Sequence, residues 1–319
     1  MKRIGVLTSG GDAPGMNAAI RSVVRIAISR NLEVYGVYRG YSGLIDDEVK
    51  LFNHRSVSNI IGRGGTVLKT SRSKEFMTRE GQEKAVETIK NHNIDGLIVI
   101  GGDGSYQGAE ALYKKWGIRC IGVPGTIDND INGTDYTIGS DTALNTALQA
   151  IDKIRDTVSA LERIFVVEVM GRLSGYIALN VALAGGAEQV VIPERPFDIM
   201  QMCQEITEGY IRGKASWIVV VAEGVIKAQD IAEKITENTD LDTRMLVLGH
   251  IQRGGSPTAK DRVLATRLGA AAVDLLVKGE SGKAVGIVSD NISAVSFQEA
   301  LKKKQLKTEQ ICNLIRILT

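Results

Sequence analysis

The sequence predicts an α/β protein of two lobes, each a mainly parallel sheet flanked by helices, with the active site in the cleft between them. Three observations carry this. Short β-type runs alternate with segments of helical period along the chain, the pattern of a parallel sheet covered by helices. The 319 residues exceed the roughly 250–300 at which one core tends to split, and small ligands favour the clefts that result. Glycine-rich stretches follow several predicted strands, and strand C-terminal ends gather at one edge of a parallel sheet. Each lobe is thus expected to be Rossmann-like in its layering.

Arg3 to Thr8 reads as the first strand, an aliphatic run closed by the loop Ser9-Gly10-Gly11-Asp12-Ala13-Pro14-Gly15, with a helix over 16–29 behind it. Leu32 to Tyr38, Gly96 to Ile100 and Arg119 to Val123 read as further strands, with helices over 80–91 and 106–115 around the second of them. After residue 140 the pattern repeats: a helix over 142–156, a strand over 164–169, a helix over 175–184 and a strand over 189–192. A helix over 199–212, the strand Trp217 to Ala222 and a helix over 260–278 complete it. With only five prolines and no low-complexity tract, nothing marks a flexible linker. The two lobes are therefore expected to be joined by more than one crossing of the chain.

Composition narrows the function. A chain that is 44% hydrophobic and 24% charged is an ordinary globular one, neither disordered nor embedded in lipid. Its formal net charge of +2 argues against nucleic acid or a membrane surface as partner. No apolar stretch approaches the roughly 18 residues that span a bilayer. Ile4 to Leu7 is too short for a signal-peptide core, so the protein is expected in the cytoplasm. Cys120, Cys203 and Cys312 are odd in number and widely spaced, which suggests neither disulfides nor zinc.

The most informative segment is GGDGS at 101–105, after the apolar run Leu97-Ile98-Val99-Ile100. Glycines at a strand end let backbone amides approach an anion. Asp103 points to the same place, and a carboxylate beside phosphates implies Mg²⁺ between them. For an isolated GGDG, a tight turn with Asp103 as a local acceptor is the plain alternative. Four glycine-rich loops of this kind, at 9–15, 101–105, 124–130 and 170–175, argue for one shared site. The first is not GxGxxG, its glycines falling at 10, 11 and 15, which counts against a dinucleotide fold.

In PGTIDND, Asp128 and Asp130 lie two apart and share a side if the segment is extended. One could take a proton from a substrate hydroxyl. An ordinary carboxylate suffices for that, because in a loose phosphoryl-transfer transition state the proton leaves late. Turn-capping is the alternative for both residues, and a better one for Asp130 than for the pair. Arg72, Arg163, Arg172, Arg244 and Arg253 each sit in or beside a loop or strand end. Guanidinium forks suit phosphate, although any one arginine alone is more often a surface residue. Glu223 closes the strand Trp217 to Ala222, and His250 with Gln252 precedes Arg253. Arg21 and Arg25, four apart on the first helix, share a face and suggest a second basic pocket or a solvated surface. His54 and His92 lie in polar surroundings and read as surface residues.

These motifs together resemble the bacterial ATP-dependent 6-phosphofructokinases along essentially the whole chain. The resemblance is carried by LTSGGDAPGMNAAIR, VIGGDGSYQGA, GVPGTIDNDINGTDYTIG, AIDKIRDT, VVEVMGR, VVAEG and VLGHIQRGGSPTAKDR. It implies phosphorylation of fructose 6-phosphate at the 1-position by MgATP in a homotetramer. It also implies a larger ATP-binding lobe of residues 1–139 plus 252–302, and a smaller sugar-phosphate lobe of 140–251 plus 303–319.

Residue by residue, the resemblance assigns ATP to Gly11, Tyr41, Arg72, Ser73 and Phe76 with Gly102, Asp103, Gly104, Ser105 and Gly108, Asp103 being the Mg²⁺ contact. Thr126, Ile127 and Asp128 hold the reacting hydroxyl, with Asp128 as the base. Gly11, Asp130, Arg72 and Arg172 complete the catalytic set, the two arginines bracketing charge on the transferred phosphoryl group. The sugar phosphate falls to Met170, Gly171, Arg172, Glu223, Arg244, His250, Ile251, Gln252 and Arg253, with Arg163 from a neighbouring subunit. An effector site for ADP and phosphoenolpyruvate takes Arg21, Ser22, Val23, Val24, Arg25 and His54, with Arg155, Gly186, Ala187, Glu188, Arg212, Lys214, Ala215 and Ser216.

Glycine at 104 and 125, where pyrophosphate-using relatives carry Asp and Lys, implies ATP as donor. Ser73-Lys74 replaces an apolar-Pro pair, and Met77 stands where a basic residue is common. Leu161 replaces a His and Tyr176 an Asp. Ala215 and Ser216 occupy a Lys-His pair and His54 an Arg, so inhibition by phosphoenolpyruvate and activation by ADP are expected to be weakened.

Three other functions compete. A lipid or NAD kinase shares GGDG but leaves PGTIDND, MGR and HIQR unexplained. A non-catalytic sugar-phosphate sensor on the same fold would need neither Asp128 nor Arg172. A nicotinamide oxidoreductase lacks its GxGxxG.

Overall fold

The computed structural model describes residues 1–318; Thr319, the last position of the expected smaller lobe, lies outside the described residues. In chain order the elements are β1 (Arg3–Thr8), α1 (Met16–Ser29), β2 (Glu33–Val37), α2 (Tyr41–Ile45), β3 (Val49–Phe52), α3 (Arg79–Asn91), β4 (Gly96–Gly101) and α4 (Asp103–Trp116). There follow β5 (Cys120–Pro124), α5 (Ser140–Leu161), β6 (Ile164–Val169), α6 (Tyr176–Gly185), β7 (Gln189–Val191), α7 (Ile199–Ile211) and β8 (Trp217–Ala222). The chain closes with α8 (Ala228–Thr239), β9 (Thr243–Val247), α9 (Ala259–Val277), β10 (Lys283–Val288), β11 (Asn291–Ser296), α10 (Phe297–Ala300) and α11 (Thr308–Leu318).

Two compact units emerge. The first comprises Met1–Thr142 and Arg253–Lys304, the second Ala143–Gln252 and the chain from Gln305 onward. The first is built on a seven-stranded sheet of order β11-β10-β5-β4-β1-β2-β3. Its five inner strands are parallel, and the edge strands β11 and β3 pair antiparallel. β4 is buried along its whole length, as a strand covered on both faces must be, which explains its unbroken aliphatic run. Leu7, Val99, Tyr106, Leu112 and Phe297 belong to the core on one side of this sheet. The second unit holds a four-stranded parallel sheet of order β7-β8-β6-β9. Val166, Val219, Val221, Met202, Ile206, Ile231 and Ile235 form a core there.

The departures from expectation are local. α4 starts at Asp103 rather than near Tyr106, so GGDGS is the first turn of a helix instead of a loop ahead of one. The longest helix, α5, runs over 140–161, beyond the expected 142–156. The helix α8 was not anticipated although its buried Ala228, Ile231, Ala232 and Ile235 keep a helical spacing. β9 escaped because its residues are mostly exposed and keep no apolar alternation. Among the described residues no helix is long and apolar enough to cross a membrane. The three cysteines are free, Cys120 and Cys203 buried, and burial pushes the Cys120 thiol up.

Candidate functional site

Three of the four glycine-rich loops meet at one edge. β1, β4 and β5 are adjacent and parallel, with Thr8 opposite Ile100 and Gly101 opposite Pro124. Their C-terminal ends therefore deliver residues 9–15, 102–105 and 125–130 side by side. The Ser9 amide donates to the Ile100 carbonyl and the Gly125 amide to the Gly101 carbonyl, both at 3.0 Å. The fourth loop, 170–175, leaves β6 on the other sheet.

The first turn of α4 has the chemistry of an anion site. The Ser105 and Tyr106 amides donate to the Gly102 carbonyl at 3.1 Å, while the helix dipole at this end favours negative charge. Asp103 Oδ1 accepts from the Gly104 amide at 2.7 Å. A Cβ at Gly104 would meet nothing within 4 Å, so this turn opens onto free space. Ser105 Oγ, by contrast, is buried without a hydrogen-bond partner, and Gly102 packs on Thr126 of the neighbouring loop. Among the described residues no three His, Cys, Asp or Glu side chains cluster as a metal site. A single carboxylate such as Asp103 at this open turn is the kind of ligand Mg²⁺ takes beside phosphate oxygens.

Close approach favours glycine at 11 and, against a buried ring, at 108. A Cβ at Gly11 would strike the guanidinium of Arg253, and one at Gly108 the ring of Tyr41. The structure thus places Arg253, expected among the sugar-phosphate residues, against the first loop. Tyr41 and Phe76, expected to touch the nucleotide, are buried and stack on each other at 4.1 Å. The Tyr41 hydroxyl donates to the Ser105 carbonyl at 2.6 Å, so the pair braces α4 from behind. Ser73 Oγ accepts from the Phe76 amide at 3.2 Å, which gives this departure from the family pattern a capping role. Arg72 is exposed. At Gly125 a Cβ would face Ile100 and Met16 at 3.0 Å, so packing is the structural reason for that glycine.

The loop after β5 folds back on itself. Gly125 bridges Ile138, and Thr137 Oγ1 donates to the Thr126 carbonyl at 2.6 Å. Asp128 is 3% exposed, and its amide donates to Thr126 Oγ1 at 3.2 Å. Asn129, next to it, is buried and takes the left-handed conformation at φ 49°. The loop's far end is tied by Asp261, whose carboxylate accepts from the Gly139 amide at 2.9 Å and from the Thr142 amide and hydroxyl at 2.8 and 2.6 Å. Burial pushes the Asp261 carboxyl up, against the pull of these three donors.

In the second unit, the ends of β6 and β8 and the turn after β9 bring Arg172, Glu223 and residues 249–252 to one sheet edge. Gly171 and Arg172 both have positive φ, 147° and 52°. The Arg172 amide donates to Glu223 Oε1 at 3.1 Å. Gln252, fully buried, accepts from the Met170 amide at 3.4 Å and donates to the Gly249 carbonyl at 3.1 Å. His250 and Ile251 are exposed beside it. Arg163 and Arg244 are not at this edge. They flank the opposite ends of β6 and β9, where both pair with Asp242 at 2.6 and 3.1 Å.

The effector candidates divide by unit. Arg21 and Arg25 are half-buried, and Arg25 Nε is buried without a partner. Ser22, Val23 and Val24, between these arginines, are buried, and Ser22 Oγ donates to the Thr266 carbonyl of α9. His54 is exposed in a short 3₁₀ turn. In the second unit Arg155 binds the carbonyls of Gly185 and Gly186. Glu188 pairs with Lys214 at 3.2 Å and accepts from the Ile218 amide at 2.6 Å, while Lys214 lies over the Trp217 ring. Ala187 is buried, Ala215 and Ser216 half-buried, and Arg212 exposed.

The phosphofructokinase family profile matches residues 3–276. The chain belongs to this family. Among curated members, it is 57% identical over 304 residues to the ATP-dependent 6-phosphofructokinase of Bacillus velezensis, covering 95% of both chains. It is 55% identical over 319 residues to that of Bacillus pumilus, covering all of both. Of solved structures, the phosphofructokinase of Saccharomyces cerevisiae superposes with TM-score 0.90 at 35% identity, over all of this chain and 47% of that one. A pyrophosphate-dependent phosphofructokinase from Marinobacter aquaeolei gives TM-score 0.84 at 25% identity, over all of this chain and 91% of the other.

Proposed function

We propose that this chain transfers the terminal phosphoryl group of MgATP to the 1-hydroxyl of fructose 6-phosphate, giving ADP and fructose 1,6-bisphosphate. The observation that carries the donor assignment is the open helix terminus at Gly104, where an aspartate side chain would occupy the space a nucleotide phosphate needs. The full-length relatives named for ATP dependence support it. Asp128 accepts the hydroxyl proton late in the transfer, and the loop glycines admit the phosphates to backbone amides. When bound, Mg²⁺ would neutralise phosphate charge beside Asp103. Arg72 and Arg172 stabilise charge on the transferred group. The first unit is thus the nucleotide lobe, and the second holds the sugar phosphate through Arg172, Glu223 and His250.

Arg163 and Arg244 sit together at the far end of β6 and β9 from Arg172. Within one copy they therefore serve a different place, which supports their acting on a neighbouring subunit's sugar phosphate in a cytoplasmic homotetramer. The exposed Met245, Leu246 and Val247 on the edge strand β9 favour such association. For the effectors, Ala215, Ser216 and His54 leave ADP and phosphoenolpyruvate fewer cations. Inhibition by phosphoenolpyruvate at neutral pH should be shallow, and full sigmoidal inhibition in steady-state assays would contradict this.

The test of the reaction is Asp128→Ser. Its kcat with MgATP and fructose 6-phosphate should fall by about 10²-fold or more, as expected for loss of a positioned base. An unchanged rate would remove Asp128 from that role. A wild-type chain that binds fructose 6-phosphate but turns over with no donor would favour the sensor.

A further inference from the structure

The Asp128 loop is clamped from a distant part of the chain. Lys304, half-buried, donates from Nζ to Asn129 Oδ1 at 3.0 Å and to the Asp135 carbonyl at 3.2 Å. Asn129 Nδ2 donates to that same carbonyl at 3.0 Å. The ammonium, the amide and the carbonyl thus close a three-membered clamp around a residue in left-handed backbone, a conformation asparagine accepts more readily than most residues. Asn129 is bonded directly to Asp128, so a shift of its backbone moves the carboxylate. The segment carrying Lys304 is fixed to the same loop again, because Asn132 donates from Nδ2 to the Glu299 carbonyl and carboxylate and from its amide to the Ala300 carbonyl.

We propose that Lys304 is a positioning residue for phosphoryl transfer, its ammonium holding Asn129 and the Asp135 carbonyl so that the Asp128 carboxylate stays aimed at the sugar hydroxyl. The proposal rests on Asp128 being the base. Lys304 touches neither substrate in this scheme and acts only through Asn129. The charged groups around it are Asp130 and Asp135 on the loop, which favour its protonated form, and Glu299, Lys302 and Lys303 on its own segment, where Lys302 pairs with Glu299. Burial outweighs the two aspartates and lowers the ammonium to about 8.

The consequences of deprotonation for folding and for turnover then run in opposite directions. Folded Lys304 releases its proton above about pH 8 while the unfolded chain keeps it to about 10.5. Stability contributed by this group therefore rises with pH across that window. Turnover should fall across the same window, as the clamp loses its charge.

The test compares wild type with Lys304→Met, Lys304→Arg, Asn129→Ala and the Lys304→Met/Asn129→Ala double variant, with Asp128→Ser alongside. In Lys304→Met, kcat should drop about tenfold or more, as misplacement of a catalytic group does, with both KM values within about twofold of wild type. The kcat step near pH 8 should disappear in Lys304→Met, and Lys304→Arg should recover most of the rate. The double variant should be no slower than the worse single, since both changes break one clamp. A Lys304→Met enzyme with wild-type kcat and pH profile, or a loss confined to melting temperature, overturns the proposal. If Asp128→Ser keeps full activity, the base assignment itself has failed, whatever the Lys304 variants do.

Discussion

The loop that carries Asp128 and the loop that carries Arg172 both leave the C-terminal end of a parallel strand, yet they are held by different means. Residues 125–140 are tied from far along the chain, by buried Asp261 on α9 and by half-buried Glu299 on α10 and Lys304 beyond it. Residues 170–175 are held by residues of their own unit, the Gly175 amide by Glu194, the Arg172 amide by Glu223 and the Met170 amide by Gln252. A base must be aimed to within a fraction of an ångström, whereas an arginine that meets a phosphate needs reach. The first task rewards a rigid buried frame; the second tolerates an exposed side chain.

The sharpest way to break this contrast is Asp261→Ala, which strands three buried donors at the end of the Asp128 loop. Urea unfolding should show a loss on the order of 3 kcal/mol, the size expected when a buried network loses its acceptor. A loss under about 1 kcal/mol would mean the frame is not rigid there. Next in size, Glu223→Ala should leave the melting temperature nearly unchanged but raise KM for fructose 6-phosphate about tenfold, the equivalent of one hydrogen bond to a charged group. Destabilisation as large as that of Asp261→Ala would erase the distinction between the loops. The smallest effect belongs to Asn132→Ala, whose bonds to Glu299 are half-exposed. It should cost about 1 kcal/mol of stability and less than threefold in kcat.

Much of this was legible in the sequence, and for a physical reason. The strands β4 and β8 announce themselves because burial on both faces demands aliphatic runs, β1 and β6 because they are mostly buried and hydrophobic, and the glycine-rich loops follow β1, β4 and β6 at once. Arg172 and Glu223 could be singled out because each lies within a few residues of a strand end, and Gln252 through the HIQR run. The clamp was not legible, since Lys304 reads as one of three consecutive lysines and only the fold shows which of them turns inward. The expected loop at 103–105 became a helix turn because Gly102 lies at its N-cap and glycine at that position costs little.

One measurement bears most directly on the central claim: the initial rate of fructose 1,6-bisphosphate formation by the wild-type chain from fructose 6-phosphate, with MgATP and separately with pyrophosphate as donor. Turnover with MgATP and none with pyrophosphate is the expected result. Turnover with pyrophosphate alone would contradict the assignment drawn from the open helix terminus at Gly104.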